Sequence, residues 1–155
     1  MKYKMKKEDL LTDDDIWNAV IQVMSEYDFP TENKVANETY VVFNYYSALE
    51  SGGHESLLNW FSSYIEEVGI LNYIKELTFI LEKIGAEDYA EIEKKYGEEL
   101  WRLFQALESD EIEEDEFYDV IEESDRKYEN LNGKLVEILE RYFVKTYTDL
   151  IDIEE

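Results

Sequence analysis

EDYAEIEKKYGEELWRLFQAL, residues 87–107, places Tyr89, Ile92, Tyr96, Leu100, Leu103, Phe104 and Leu107 at intervals of three and four. That spacing is the α-helical repeat, not the alternation of a strand, and the segment outruns an ordinary strand. Only Gly97 weakens it. Immediately upstream, Leu71, Ile74, Leu77, Leu81 and Ile84 keep the same spacing and stop at Gly85, a residue suited to the left-handed backbone of a helix C-terminus.

The same reading extends in both directions. Thr12 is set to cap a first helix, with Asp13, Asp14 and Asp15 complementing the dipole of its first turn. Ile16, Trp17, Val20, Ile21 and Met24 form its apolar stripe, and Pro30 closes the segment. A second helix runs from Asn33 or Asn37 to Glu50, with Tyr40, Phe43, Tyr46 and Leu49 along one side, and Ser51-Gly52-Gly53 ends it. A short third helix carries Leu57, Leu58, Trp60 and Phe61. After an acidic connection at 109–114 comes a short helix bearing Phe117, Val120 and Ile121, then a long one with Leu131, Leu135, Ile138, Leu139, Tyr142 and Phe143. No stretch alternates convincingly as a strand, and no internal repeat is present. The expectation is an all-α, single-domain bundle of about six or seven helices. It spans residues 12–150, between a basic and polar segment at 1–11 and an acidic tail at 151–155.

Composition narrows the function classes. The 155 residues carry a formal net charge of -24, with 45% hydrophobic and 15% aromatic residues. A disordered acidic tail would lack that apolar content. The absence of cysteine excludes disulfides, thiolate metal sites and a cysteine nucleophile. Lys2, Lys4, Lys6 and Lys7 are followed by Glu8 and Asp9, where a signal peptide needs an apolar stretch. No apolar run approaches the roughly 18–20 residues of a membrane span. Anionic lipid and nucleic acid would be repelled. A cytoplasmic helical domain with cationic partners is expected, binding neither membrane nor nucleic acid directly.

The charge is densest from Glu108 to Asp125, a stretch that includes Asp110, Glu111, Glu113, Glu114, Asp115, Glu116, Asp119, Glu122 and Glu123 and contains no Lys or Arg. If wholly helical it spans about 27 Å, roughly one charge per 2.5 Å, against one per about 1.7 Å of duplex DNA axis. Phe117, Val120 and Ile121 would hold its second half to the core and turn the carboxylates outward. The bland alternative is a solvated face that keeps the chain soluble.

A more specific signal is YVVFNYYSALESGGH, residues 40–54: an aromatic helix ending in Glu50, one small residue, then Gly52-Gly53. It resembles the "Glu, small residue, Gly-Gly, aromatic" signature of a family of acidic helical proteins catalogued as a domain of unknown function, one member of which is a bacterial DNA mimic. Residues 84–92, Ile-Gly-Ala-Glu-Asp-Tyr-Ala-Glu-Ile, and 115–118, Asp-Glu-Phe-Tyr, resemble two further elements of that family. The resemblance covers roughly residues 37–147. His54 departs from it, standing where the pattern has an aromatic residue. The resemblance implies a helical fold and a non-enzymatic role. An acidic surface would occupy the basic nucleic-acid-binding site of a partner protein such as a transcription factor. Alternatives are an immunity or antitoxin-like protein neutralising a basic toxin, and an acidic helical domain with no dedicated basic partner.

Glu50, Gly52, Gly53 and Gly85 read as structural: helix stops, plus a carboxylate able to cap the next helix. His54, the only histidine, has Ser51 and not Glu three positions before it, so the di-iron bundle motif is missing. No Walker loop, dinucleotide fingerprint or nucleophile elbow occurs. The acidic run lacks the glycine of an EF-hand and has Ile112 at its third position. No catalytic residue, metal or cofactor is expected. Exposed aromatic surface in excess would mark a homodimer face.

Overall fold

The computed structural model describes residues 3–154. It is all-α, with six helices: α1 (Asp13–Glu26), α2 (Lys34–Val68), α3 (Ile70–Lys83), α4 (Glu87–Glu108), α5 (Glu114–Glu129) and α6 (Lys134–Thr146). The chain forms two compact units, one from residues up to Phe43 together with those from Val136 onward, the other Asn44–Leu135.

In the first unit Thr12 caps α1 as expected. Its hydroxyl accepts from the Asp15 amide at 3.1 Å while Asp15 accepts from the Thr12 amide at 3.2 Å, a reciprocal box that satisfies two orphan donors. Ile16, Val20 and Met24 are buried, as are Val41, Val42, Leu139 and Phe143. Trp17 packs on Phe143 with ring centroids 5.1 Å apart.

The absence of strands is corrected. Tyr3–Lys6 (β1) pairs in parallel with Ile151–Glu154 (β2), in the register Tyr3↔Ile151, Lys4↔Asp152, Met5↔Ile153, Lys6↔Glu154. Apolar residues share one face of this ribbon and opposite charges share the other, which is the cross-strand pairing that stabilises a short ladder.

In the second unit α4 packs against α3 and α5. Gly85 ends α3 with φ 93°, and the bonds Ala86 N to Leu81 O (2.7 Å) and Gly85 N to Glu82 O (3.1 Å) close the helix end in the Schellman pattern. The two helices expected to meet at Ser51-Gly52-Gly53 do so: α2 is two helical stretches joined at a kink, where the backbone leaves helical geometry at Gly52 and Gly53. Its buried face is Val41, Val42, Tyr45, Ala48 and Leu49, turned from the expected row of Tyr40, Phe43 and Tyr46, which are half-buried. Trp60 and Leu71, expected in the core, are 51% and 64% exposed. Gly97 does not break α4. It is buried, and a Cβ there would overlap the Ile74 side chain, so α4 keeps it for close packing.

Candidate interaction surface and its buried clamp

The acidic stretch is ordered throughout. α4 ends at Glu108, and Asp110 takes the left-handed conformation (φ 57°) that turns the chain. Glu111 N then bonds Ala106 O at 2.8 Å, and Asp110 N bonds Leu107 O at 3.1 Å. A short Asp tolerates that backbone better than most side chains. α5 is longer than the short helix expected. Phe117, Ile121, Ser124 and Tyr128 form its buried stripe, and Val120 is half-buried.

Asp110, Glu111, Glu113, Glu114, Asp115, Glu116, Asp119, Glu122 and Glu123 are all exposed. At 100° per residue, Asp115, Asp119 and Glu122 point straight away from the buried stripe, with Glu116 and Glu123 beside them. From Glu114 to Glu123 the helix rises about 14 Å, or about one carboxylate per 2.3 Å. Among the described residues none of the nine is ion-paired; Glu123 accepts from the Tyr96 hydroxyl at 3.0 Å. Arg126 and Lys127 close the last turn.

Helix electrostatics accounts for part of this layout. Glu114, Asp115 and Glu116 sit in the first turn, and Arg126 and Lys127 in the last, where the macrodipole favours each sign. It does not account for Asp119. That carboxylate has Asp115, Glu116, Glu122 and Glu123 at helical neighbour positions and no base among them, a repulsive arrangement.

Beneath this surface lies a cluster absent from the sequence expectations. The kink at Gly53 (φ 72°) brings the start of the second half of α2 against α5. Asp125 Oδ1 accepts from the His54 backbone amide at 2.8 Å and lies 2.7 Å from His54 Nδ1. On the other side of the ring, His54 Nε2 is 2.7 Å from Glu93 Oε2, which also accepts from the Tyr45 hydroxyl at 2.7 Å. His54 and Glu93 are each 1% exposed. Burial alone would push the imidazole down. The Glu93 charge and the hydrogen bonds to Asp125 and Glu93 outweigh burial and raise it from 6.5 to about 9. At neutral pH the ring is therefore an imidazolium donating from both nitrogens. Tyr45 is raised well above its ordinary value, first by burial and then by Glu93.

This geometry corrects the role given to Glu50. The capping carboxylate for the helix after the kink is Asp125, whereas Glu50 is exposed and accepts from the Tyr128 hydroxyl at 3.2 Å. The glycine pair is retained for contact as well as for turning, because a Cβ on Gly53 would overlap the Asp125 carboxylate. Chemically the cluster is a clamp. Both ring nitrogens are committed to carboxylates, so the imidazolium holds no lone pair to act as a base. Its one sequence clue was the placement of the single histidine directly after the glycine pair.

Among the described residues no group of acids and histidines is arranged to hold a metal ion, and no helix is long and apolar enough to cross a membrane. No family model, curated protein or solved structure matches the chain.

Proposed function

We propose that the chain is a non-enzymatic binding protein of the DNA-mimic type. The carboxylates of α5 and of the turn before it stand in for phosphates and occupy the basic nucleic-acid-binding site of a partner protein, such as a transcription factor. The supporting observation is Asp119 with its neighbours Asp115, Glu116, Glu122 and Glu123, an exposed and uncompensated row held on an ordered helix. Folding gains nothing from that crowding, whereas a cationic groove would. Charge complementarity of this kind speeds encounter and makes binding salt-sensitive.

The test is capture from extract of the native cell at low and high salt, with duplex DNA as competitor and partners identified by mass spectrometry. Mimicry requires a basic DNA-binding protein that is held at low salt and released by DNA. A single very tight partner indifferent to DNA would instead identify an immunity or antitoxin-like protein. Reversal of Glu116, Asp119, Glu122 and Glu123 to Lys must abolish capture with helicity intact; undiminished capture rejects this surface.

A further inference from the structure

α3 stands apart from the rest of this acidic chain. Its charged residues are Lys75, Glu76, Glu82 and Lys83, which sum to zero, and residues 56–65 on the second half of α2 include no charged residue at all. The whole chain, by contrast, has a formal net charge of -24. These two segments, both in the second unit, also hold Trp60, Leu71 and Phe79, each more than half exposed. They lie side by side: Phe61 packs on Tyr73 with ring centroids 5.3 Å apart, and the Tyr64 hydroxyl donates to Glu76 at 2.9 Å. The chain reverses at Gly69, so Trp60, one turn before Tyr64, is level with the turn of α3 that carries Phe79. Single exposed apolar residues need no explanation. Three on a surface without net charge mark a face that the chain's own repulsion leaves unguarded.

The pattern on that face fits a second copy of the chain. Leu71, Lys75 and Phe79 follow at intervals of four, and Lys75 and Glu82, seven apart, fall within about 20° of one another around the helix. Phe79 stands between them. Turning such a row end for end exchanges its basic end for its acidic end, which is the self-complementarity a two-fold contact demands. A two-fold axis beside Phe79 brings the two rings together and sets Lys75 of each copy against Glu82 of the other. Glu82 Oε1 is already 2.7 Å from Lys94 Nζ, but a carboxylate accepts at two oxygens, so the two bonds are compatible. We propose that the chain forms a homodimer through antiparallel α3 helices, with Trp60 at the margin of the contact, whatever the surface of α5 binds. α3 is about 21 Å long, which places the contact among the smaller specific interfaces and makes the dimer a reversible one.

Sedimentation velocity of the intact chain over a concentration series tests it, at physiological ionic strength so that distant charges are screened. The expected result is a reversible monomer–dimer equilibrium. Phe79→Ser should weaken it roughly tenfold or more and leave the circular dichroism unchanged, because the ring is exposed. Lys75→Glu and Glu82→Lys each set like charges against one another across the axis. Each variant should be monomeric alone, and the two should dimerise when mixed, since the mixed pair restores both opposite-charge contacts. A wild-type chain still monomeric at about 1 mM overturns the proposal. So does a dimer indifferent to Phe79→Ser, or a mixture of the two charge variants that fails to associate.

Discussion

Raising the pH should unfasten the clamp, and the effect can be read at one residue because the chain has a single histidine. The imidazole goes from 6.5 in the unfolded chain to about 9 in the fold. A folded value above the unfolded one means the native state holds the proton more tightly. The stabilisation is therefore complete below about pH 6.5 and is lost progressively as pH rises through about 9. The difference corresponds to about 3 kcal/mol. Structurally, a neutral imidazole has one N–H, so either Glu93 or Asp125 loses the ring's hydrogen bond and keeps only that of the Tyr45 hydroxyl or of the His54 amide. The assay is urea unfolding at fixed ionic strength from pH 6 to 10, alongside NMR titration of the ring. Stability should fall across that window, and His54→Gln should be less stable at pH 6 and lose the slope. A ring that titrates near 6.5, or a wild-type slope that survives His54→Gln, would refute the reasoning.

Gly53→Ala forces a side chain onto a backbone at φ 72° and into the Asp125 carboxylate; it should cost on the order of 3 kcal/mol and return the His54 titration toward 6.5 by NMR. Asp119→Asn relieves repulsion with Asp115, Glu116, Glu122 and Glu123, which is worth up to about 1 kcal/mol at low salt. Thermal melts should show a small gain that fades with added salt, while capture of a basic partner weakens. Equal or tighter capture would remove Asp119 from the surface.

The helices were legible because their apolar residues recur over several turns, long enough for the 3.6 period to stand apart from noise. The sequence places the end of α4 within one residue, and exposure of the six carboxylates on α5, Glu114, Asp115, Glu116, Asp119, Glu122 and Glu123, follows from the stripe headed by Phe117. The ribbon was not legible. Tyr3-Lys-Met-Lys and Ile151-Asp-Ile-Glu both alternate, but four residues are too few to assign, and their partnership spans the whole chain. The face of α2 was misjudged because its aromatics are so dense that Tyr40, Phe43 and Tyr46 trace a helical row as well as Val41, Val42 and Tyr45 do. The clamp was hidden for a different reason. His54 meets Glu93 at a separation of 39 residues and Asp125 at 71, and no local pattern encodes contacts at such distance.

Asp125 ties the acidic helix α5 to the buried histidine. It is the last acid of the run and the only one turned inward, giving up the surface to hold His54. Because α5 is fastened there as well as by Phe117 and Ile121, its outward carboxylates keep fixed positions before any partner arrives. A preorganised surface spends little on ordering at the moment of binding. On the proposed reading, the clamp would bear on function without touching a partner. A variant that opens it, such as His54→Gln, should weaken capture of a basic protein while every carboxylate from Asp110 to Glu123 is still present. Capture unchanged in that variant would mean that charge alone, and not its placement on an ordered helix, is what the partner reads.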